Sequence, residues 1–128
     1  MKSYRDLQVW QLGMEIARDV YRITATFPKH EAYALSNQLR RAAVSIPANI
    51  AGGHAKDSTR DFLPHLSITL GSAAELETEL ILAKDLGYAE APTIDALLTR
   101  IDETGRMIRG LQRSLKQRLN AQHPNPPK

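Results

Sequence analysis

The chain has 128 residues, enough for one domain with a substantial core and too few for a second. It has no cysteine, which excludes disulfides, thiolate metal sites and cysteine nucleophiles, and it has no apolar run near the roughly 20 residues of a membrane helix. The formal charge is only +3, but residues 57–90 carry −5 and residues 91–128 carry +4, an asymmetry that points to a nucleic-acid partner, to pairing between the two segments, or to both. Met1 to Arg5 does not resemble a signal peptide, so the expected location is the cytoplasm.

A first helix is expected from about Leu7 to Thr26, with Asp6 as its N-cap. Projected at 100° per residue, its polar side is narrow: Gln8, Gln11, Glu15, Arg18, Asp19 and Arg22. The remaining sector includes Trp10, Met14, Tyr21 and Phe27 and covers more than half the circumference. Two readings stand for it: a second buried face against another subunit, with Trp10 and Tyr21 as contacts, or a single core with Met14 and Tyr21 as its shoulders.

Pro28 closes that helix, and a short turn through Lys29 to Ala32 leads to the second. There Leu35, Leu39, Ala42, Ala43, Ile46 and Ile50 recur at spacings of three and four, the stripe of an amphipathic helix. Pro47 sits inside it, removes one amide donor and presses on the Ala43 carbonyl, so a bend is expected. Beside the stripe runs a polar row, Gln38, Ala42, Ser45 and Asn49. Such a row serves either as an interhelical hydrogen-bond network that also satisfies the Ala43 carbonyl, or as a ligand or subunit contact. Gly52 and Gly53 are read as the C-terminal cap.

Ser58 and Asp61 have the spacing of a capping box, but Pro64 would then fall inside the helix, so the regular third helix is placed from near Phe62 to Gly87. Glu75 and Glu79 lie four apart on one of its faces, where like charges repel unless a cation is near; Arg40 or Arg41 is the expected partner. Pro92 opens the fourth helix, whose core face is Leu97, Ile101, Thr104, Ile108, Leu111, Leu115 and Leu119. Almost opposite, Arg106, Arg109, Arg113 and Lys116 fall within about 80° of one another. Residues 1–119 therefore read as one bundle domain and 120–128, rich in proline and polar residues, as a disordered tail.

Catalytic motifs are hard to find. His30, His54, His65 and His123 are scattered, and there is no HExxH, di-iron E-x-x-H pair, P-loop or GxSxG. His65 is a weak candidate for a base, and no metal, cofactor or enzymatic activity is expected. What remains is the Arg40-Arg41 pair and the stripe of Arg106, Arg109, Arg113 and Lys116, which suit successive phosphates of RNA or DNA. The alternative is a solvated face, or one neutralised by the acidic third helix.

The stretches YRDLQVWQLGMEIARDVYRIT, QLRRAAVSIPANIAGG and GSAAELETELILAKDLGY together resemble the proteins encoded in intervening sequences of bacterial 23S ribosomal RNA genes, over about Tyr4 to Leu119. Arg41, Ser45, Pro47, Asn49, Gly71, Ser72 and Glu75 match that family's pattern as structural or subunit-contact residues, while Gly52 and Leu70 stand where a glutamate and an arginine are usual. The resemblance implies an all-α, antiparallel up-and-down four-helix bundle assembled as a homopentameric ring. It extends to the accessory protein of diversity-generating retroelements, a basic bundle that binds nucleic acid and a protein partner. The reading is thus a non-catalytic ring that binds nucleic acid, RNA ahead of DNA; the alternative is a protein-interaction scaffold without a nucleic-acid ligand.

Overall fold

The computed structural model describes residues 3–122. Four helices make up the domain: α1 (Gln8–Thr24), α2 (Leu35–His54), α3 (Thr59–Asp85) and α4 (Ala91–Gln122). Each packs on two neighbours, α1 on α2 and α4, α3 on α2 and α4, so that the four surround one core. The apolar stripe of α2, from Leu35 to Ile50, is buried throughout. So are Leu97, Ile101, Thr104, Ile108 and Leu115 of α4, facing Ile16 and Val20 of α1 and Leu66, Leu76 and Leu80 of α3 in the same cluster.

The helix ends differ from the sequence reading in physically informative ways. Asp6 does not cap α1; it closes a 3-10 turn, Tyr4–Asp6, whose own cap is Ser3, and the N-cap position of α1 falls on buried Leu7. Ser58 does cap α3, its hydroxyl accepting from the Asp61 amide at 3.4 Å, so α3 starts at Thr59 and takes Pro64 into its interior. Pro64 is exposed, and as the sixth residue of α3 it removes the amide that would bond the Arg60 carbonyl, a cost set against the Ser58 cap and the burial of Phe62 and Leu66 on either side. Helix α4 likewise starts one residue before Pro92 and continues to Gln122, three residues beyond the expected end of the domain. The rest of the proposed tail, with His123, lies outside the described residues.

The largest difference is at Gly52 and Gly53, which do not end α2. The helix runs through both to His54, and the turn follows at Asp57, whose φ of 60° is a left-handed conformation that aspartate tolerates. Gly53 is there for proximity. A Cβ built on it would stand 2.5 Å from His65 Cβ and 2.9 Å from Phe62 Cδ1, so α2 and α3 meet here at a distance only glycine permits. Upstream on the same seam the Ser45 and Ser72 hydroxyls hydrogen-bond to each other at 2.7 Å. On the other side of α2, Gly13 of α1 leaves room for Ile46 and buried Pro47, whose side chains would lie 3.2 and 3.4 Å from an added Cβ. Gly87, at φ 75°, does end a helix: its amide bonds the Lys84 carbonyl and the Tyr88 amide the Ala83 carbonyl, both at 3.0 Å, a Schellman closure.

Two glycine substitutions should therefore move stability in opposite directions. Gly53→Ala forces α2 and α3 apart and should cost about 1–3 kcal/mol, as overpacking does. Gly71→Ala, on α3 where an added Cβ meets nothing within 4 Å, should gain about 0.5–1 kcal/mol from helix propensity. Urea denaturation of the two variants beside the parent checks both signs.

Candidate nucleic-acid interface

The arginines of this chain fall into two groups, those the fold has already used and those it has left outside. Arg40 belongs to the first. Its Nε donates to Thr24 Oγ1 at 2.8 Å, and its guanidinium lies 4.7 Å from the centre of the Tyr21 ring, a cation–π contact that ties α2 to α1. Arg100 of α4 bridges to Glu15 at 3.2 Å and to Asp19 on α1, while Asp19 also accepts from Arg22 at 2.8 Å. Lys84 of α3 reaches Asp95 of α4 at 2.8 Å. Arg106, the first member of the stripe, pairs with Asp102 one turn earlier at 2.8 Å.

Arg109, Arg113 and Lys116 form the second group. All three are exposed on one face of α4 and, among the described residues, make no ion pair. Their backbone is held from behind by buried Ile108 and Leu115, and Gln112, between them, donates to Ser67 of α3 at 3.2 Å. Leu70, where the resembled family has an arginine, lies half-buried toward Gly105, 3.9 Å from a built Cβ, so this position contributes packing to the α3–α4 seam. Two cations that the spacing argument overlooked lie toward the same end of the molecule. Exposed Arg60, on the first turn of α3, borders a depression of about 580 Å³ with Leu119 and Gln122 of α4, and Arg118 lines a neighbouring one with His54, Phe62 and Leu111. Only the packing of the end of α4 against the start of α3 brings Arg60 to this end, and Arg118, on α4 itself, points about 180° around the helix from Arg109.

Arg41 is not part of that surface. It is exposed on α2, which does not touch α4, and it lines a groove of about 400 Å³ with Gln38, Ser45, Ser72, Glu75 and Glu79. The expected ion pair is not made: Arg40 turns to α1, and Arg41 comes within 4 Å of neither carboxylate. Glu79 Oε1 is shielded from solvent without a hydrogen-bond partner, and burial, reinforced by the Glu75 charge, pushes its carboxyl above the ordinary carboxylate range.

The polar row behaves as a network across one seam. Asn49 Nδ2 donates to the Ser45 carbonyl at 2.9 Å and to its hydroxyl at 2.8 Å, and Ser45 reaches Ser72. Asn49 thus serves Ser45, not the Ala43 carbonyl freed by Pro47. Gln38 is exposed at the groove edge. Trp10 is half-buried, with the Tyr4 ring edge-on at 5.4 Å, and of the wide apolar sector of α1 only Tyr21 is a large side chain left exposed. Most of that width is consumed inside the subunit, because α1 packs on α2, on α4 and on the Tyr4–Asp6 turn. His65 wedges against Gly53 with Nδ1 unpartnered, and among the described residues no three histidine or acidic side chains gather as a metal site.

The profile of the 23S rRNA-intervening sequence proteins matches residues 5–110 of the sequence. A crystal structure of a protein with unknown function from the S23 ribosomal protein family of Bacteroides thetaiotaomicron has the same fold, with a TM-score of 0.75 at 23% identity, covering 81% of this chain and 97% of that one. No curated protein matches the sequence. Among the described residues no helix is long and apolar enough to cross a membrane.

The division of the arginines generates a test. Arg40→Gln removes a hydrogen bond and a cation–π contact and should destabilise the fold by about 1–2 kcal/mol in denaturant titration. The charge of the outer face of α4 should be unchanged in the same variant, since the Arg40 guanidinium faces α1.

Proposed function

The chain belongs to the 23S rRNA-intervening sequence protein family, and from that premise we propose a non-catalytic, homo-oligomeric ring protein that binds nucleic acid through the outer face of α4. The observation that carries this reading is the set of Arg109, Arg113 and Lys116, three cations on one helix face without an ion-pair partner among the described residues, where Arg22, Arg100 and Arg106 are paired. From Arg109 to Lys116 the stripe rises about 10 Å along the helix, the reach of two or three successive phosphates. Helix α4 carries no aromatic residue, so recognition is electrostatic and largely independent of sequence. RNA is favoured over DNA only by analogy with the resembled proteins.

Assembly is supported by the distribution of exposed apolar side chains. Tyr21, Val44, Ile68, Ile81 and Leu82 lie on α1, α2 and α3, and α4 has no large hydrophobic as exposed as these. The bundle therefore has one side suited to other protein surfaces and one suited to a polyanion. Repetition of a three-cation stripe around a ring raises a weak affinity through multivalency; five copies is the number the resemblance gives. A protein partner on the remaining apolar surface is the second reading, and the groove at Glu75 and Glu79 favours it.

Salt titration of RNA binding tests the proposal. With three cations per engaged subunit, log affinity should fall against log salt with a slope of about −2 to −3 per subunit. The triple variant Arg109→Gln, Arg113→Gln, Lys116→Gln should lose most of that slope and of the binding, at unchanged oligomeric mass. Equal binding by the variant and the parent in fluorescence anisotropy would assign the stripe to solvent.

A further inference from the structure

The α2–α3 groove leaves charge unresolved under partial burial. Glu75 and Glu79 sit four residues apart, Glu79 Oε1 is shielded without a protein hydrogen-bond donor, and Arg41 lines the groove without closing an ion pair. Helical spacing sets Ile68, Glu75, Glu79, Leu82 and Leu86 on one face of α3. Its three apolar members are 53%, 47% and 51% exposed. An acidic pair thus sits between apolar side chains on a face that nothing in the subunit covers.

The opposite flank of α2 carries the complementary pattern. Met14, Arg18 and Tyr21 follow one another on α1 at spacings of four and three, and Arg40 lies over the Tyr21 ring. Tyr21 is 47% exposed, Val44 of α2 is 43% exposed, and Arg18 is exposed and makes no ion pair among the described residues. One flank is apolar and basic, the other apolar and acidic.

We propose that a second copy of this chain covers the acidic face, its α1 flank docking so that its Arg18 pairs with Glu75 and Glu79 and its Tyr21 packs among Ile68 and Leu82. The proposal rests on the oligomeric reading above and specifies the contact that builds it. A two-fold dimer through the acidic face would set four carboxylates together with only the two Arg41 side chains to offset them. Pairing unlike faces is head-to-tail, and a head-to-tail contact repeats until it closes into a ring or grows into a filament. The arriving guanidinium can donate to the exposed Glu75 carboxylate and to the outer oxygen of Glu79, Oε1 itself being shielded inside the groove. Truncating one partner of such a pair leaves the other buried and unpaired, so either side should be sensitive.

The test is a charge swap read by light scattering at micromolar concentration, with circular dichroism to confirm the helix content of each variant. Arg18→Glu alone, and Glu75→Arg with Glu79→Arg, should each weaken assembly about tenfold or more, and combining all three substitutions should restore it. Because the chain has no cysteine, Tyr21→Cys with Leu82→Cys gives an independent readout: oxidation should produce a ladder of covalently linked copies. A parent that is oligomeric while the reversals leave its mass unchanged and no ladder forms overturns this contact and leaves the ring reading standing. A monomeric parent overturns both.

Discussion

The approach of α2 to α3 is the constraint on which the rest of this bundle depends. At Gly53 the two helices are so close that a single methyl group would collide with the Cβ of His65, and a full turn and more upstream the seam is bridged by two serine hydroxyls. A seam of small residues gives up buried apolar area, which large side chains would have supplied. What it gains is definition: the Ser45 and Ser72 hydroxyls meet in one register only, and a shift along the axis would part them, while Asn49 holds Ser45 from within α2. The large aliphatic side chains Leu39, Ile46, Leu66, Leu76 and Ile108 then fill the centre behind that seam.

Fixing α2 against α3 also fixes what α2 can offer outward. Its Arg40 points to α1 and is absorbed by Thr24 and Tyr21; its Arg41, one residue on and 100° around, points into the groove with Glu75 and Glu79. Two adjacent arginines that read as one basic pair in the sequence are therefore separate in function. One is part of the α1–α2 interface, and the other belongs to an acidic groove.

The core faces were legible in the sequence because burial obeys helical periodicity: the Leu97-to-Leu119 repeat of α4 and the Leu35-to-Ile50 stripe of α2 are buried or half-buried along their whole lengths. Helix ends were less so. Gly52 and Gly53 have the composition of a stop, and only the presence of His65 across the seam, a non-local fact, reveals that position 53 is glycine for space. Pro64 displaced the expected start of α3 because local propensity was weighed above the Ser58 cap and the tertiary packing that overrides it. For the candidate site, the stripe of α4 was visible as spacing, but which of its members is free was not. That depends on Asp102 reaching Arg106 and on Arg100 leaving for α1.

Those pairings divide α4 into two parts. Its first half spends its charges on the bundle, Asp95 on Lys84 of α3 and Arg100 on Glu15 and Asp19 of α1. From Arg109 onward the cations have no such partners among the described residues, and the acidic excess of α3 does not reach them, since Glu75 and Glu79 face the α2 groove. Cations near a helix C-terminus are often placed there to oppose the macrodipole, but that effect fades beyond the last turn. Arg109 and Arg113 lie about three and a half and two and a half turns before Gln122, too far to be accounted for in that way. A solvated face would be served as well by charges of both signs, which also limit self-repulsion. Three cations on one face with no ion-pair partner among the described residues repel one another, and on the function proposed above a polyanion would supply the opposite charge.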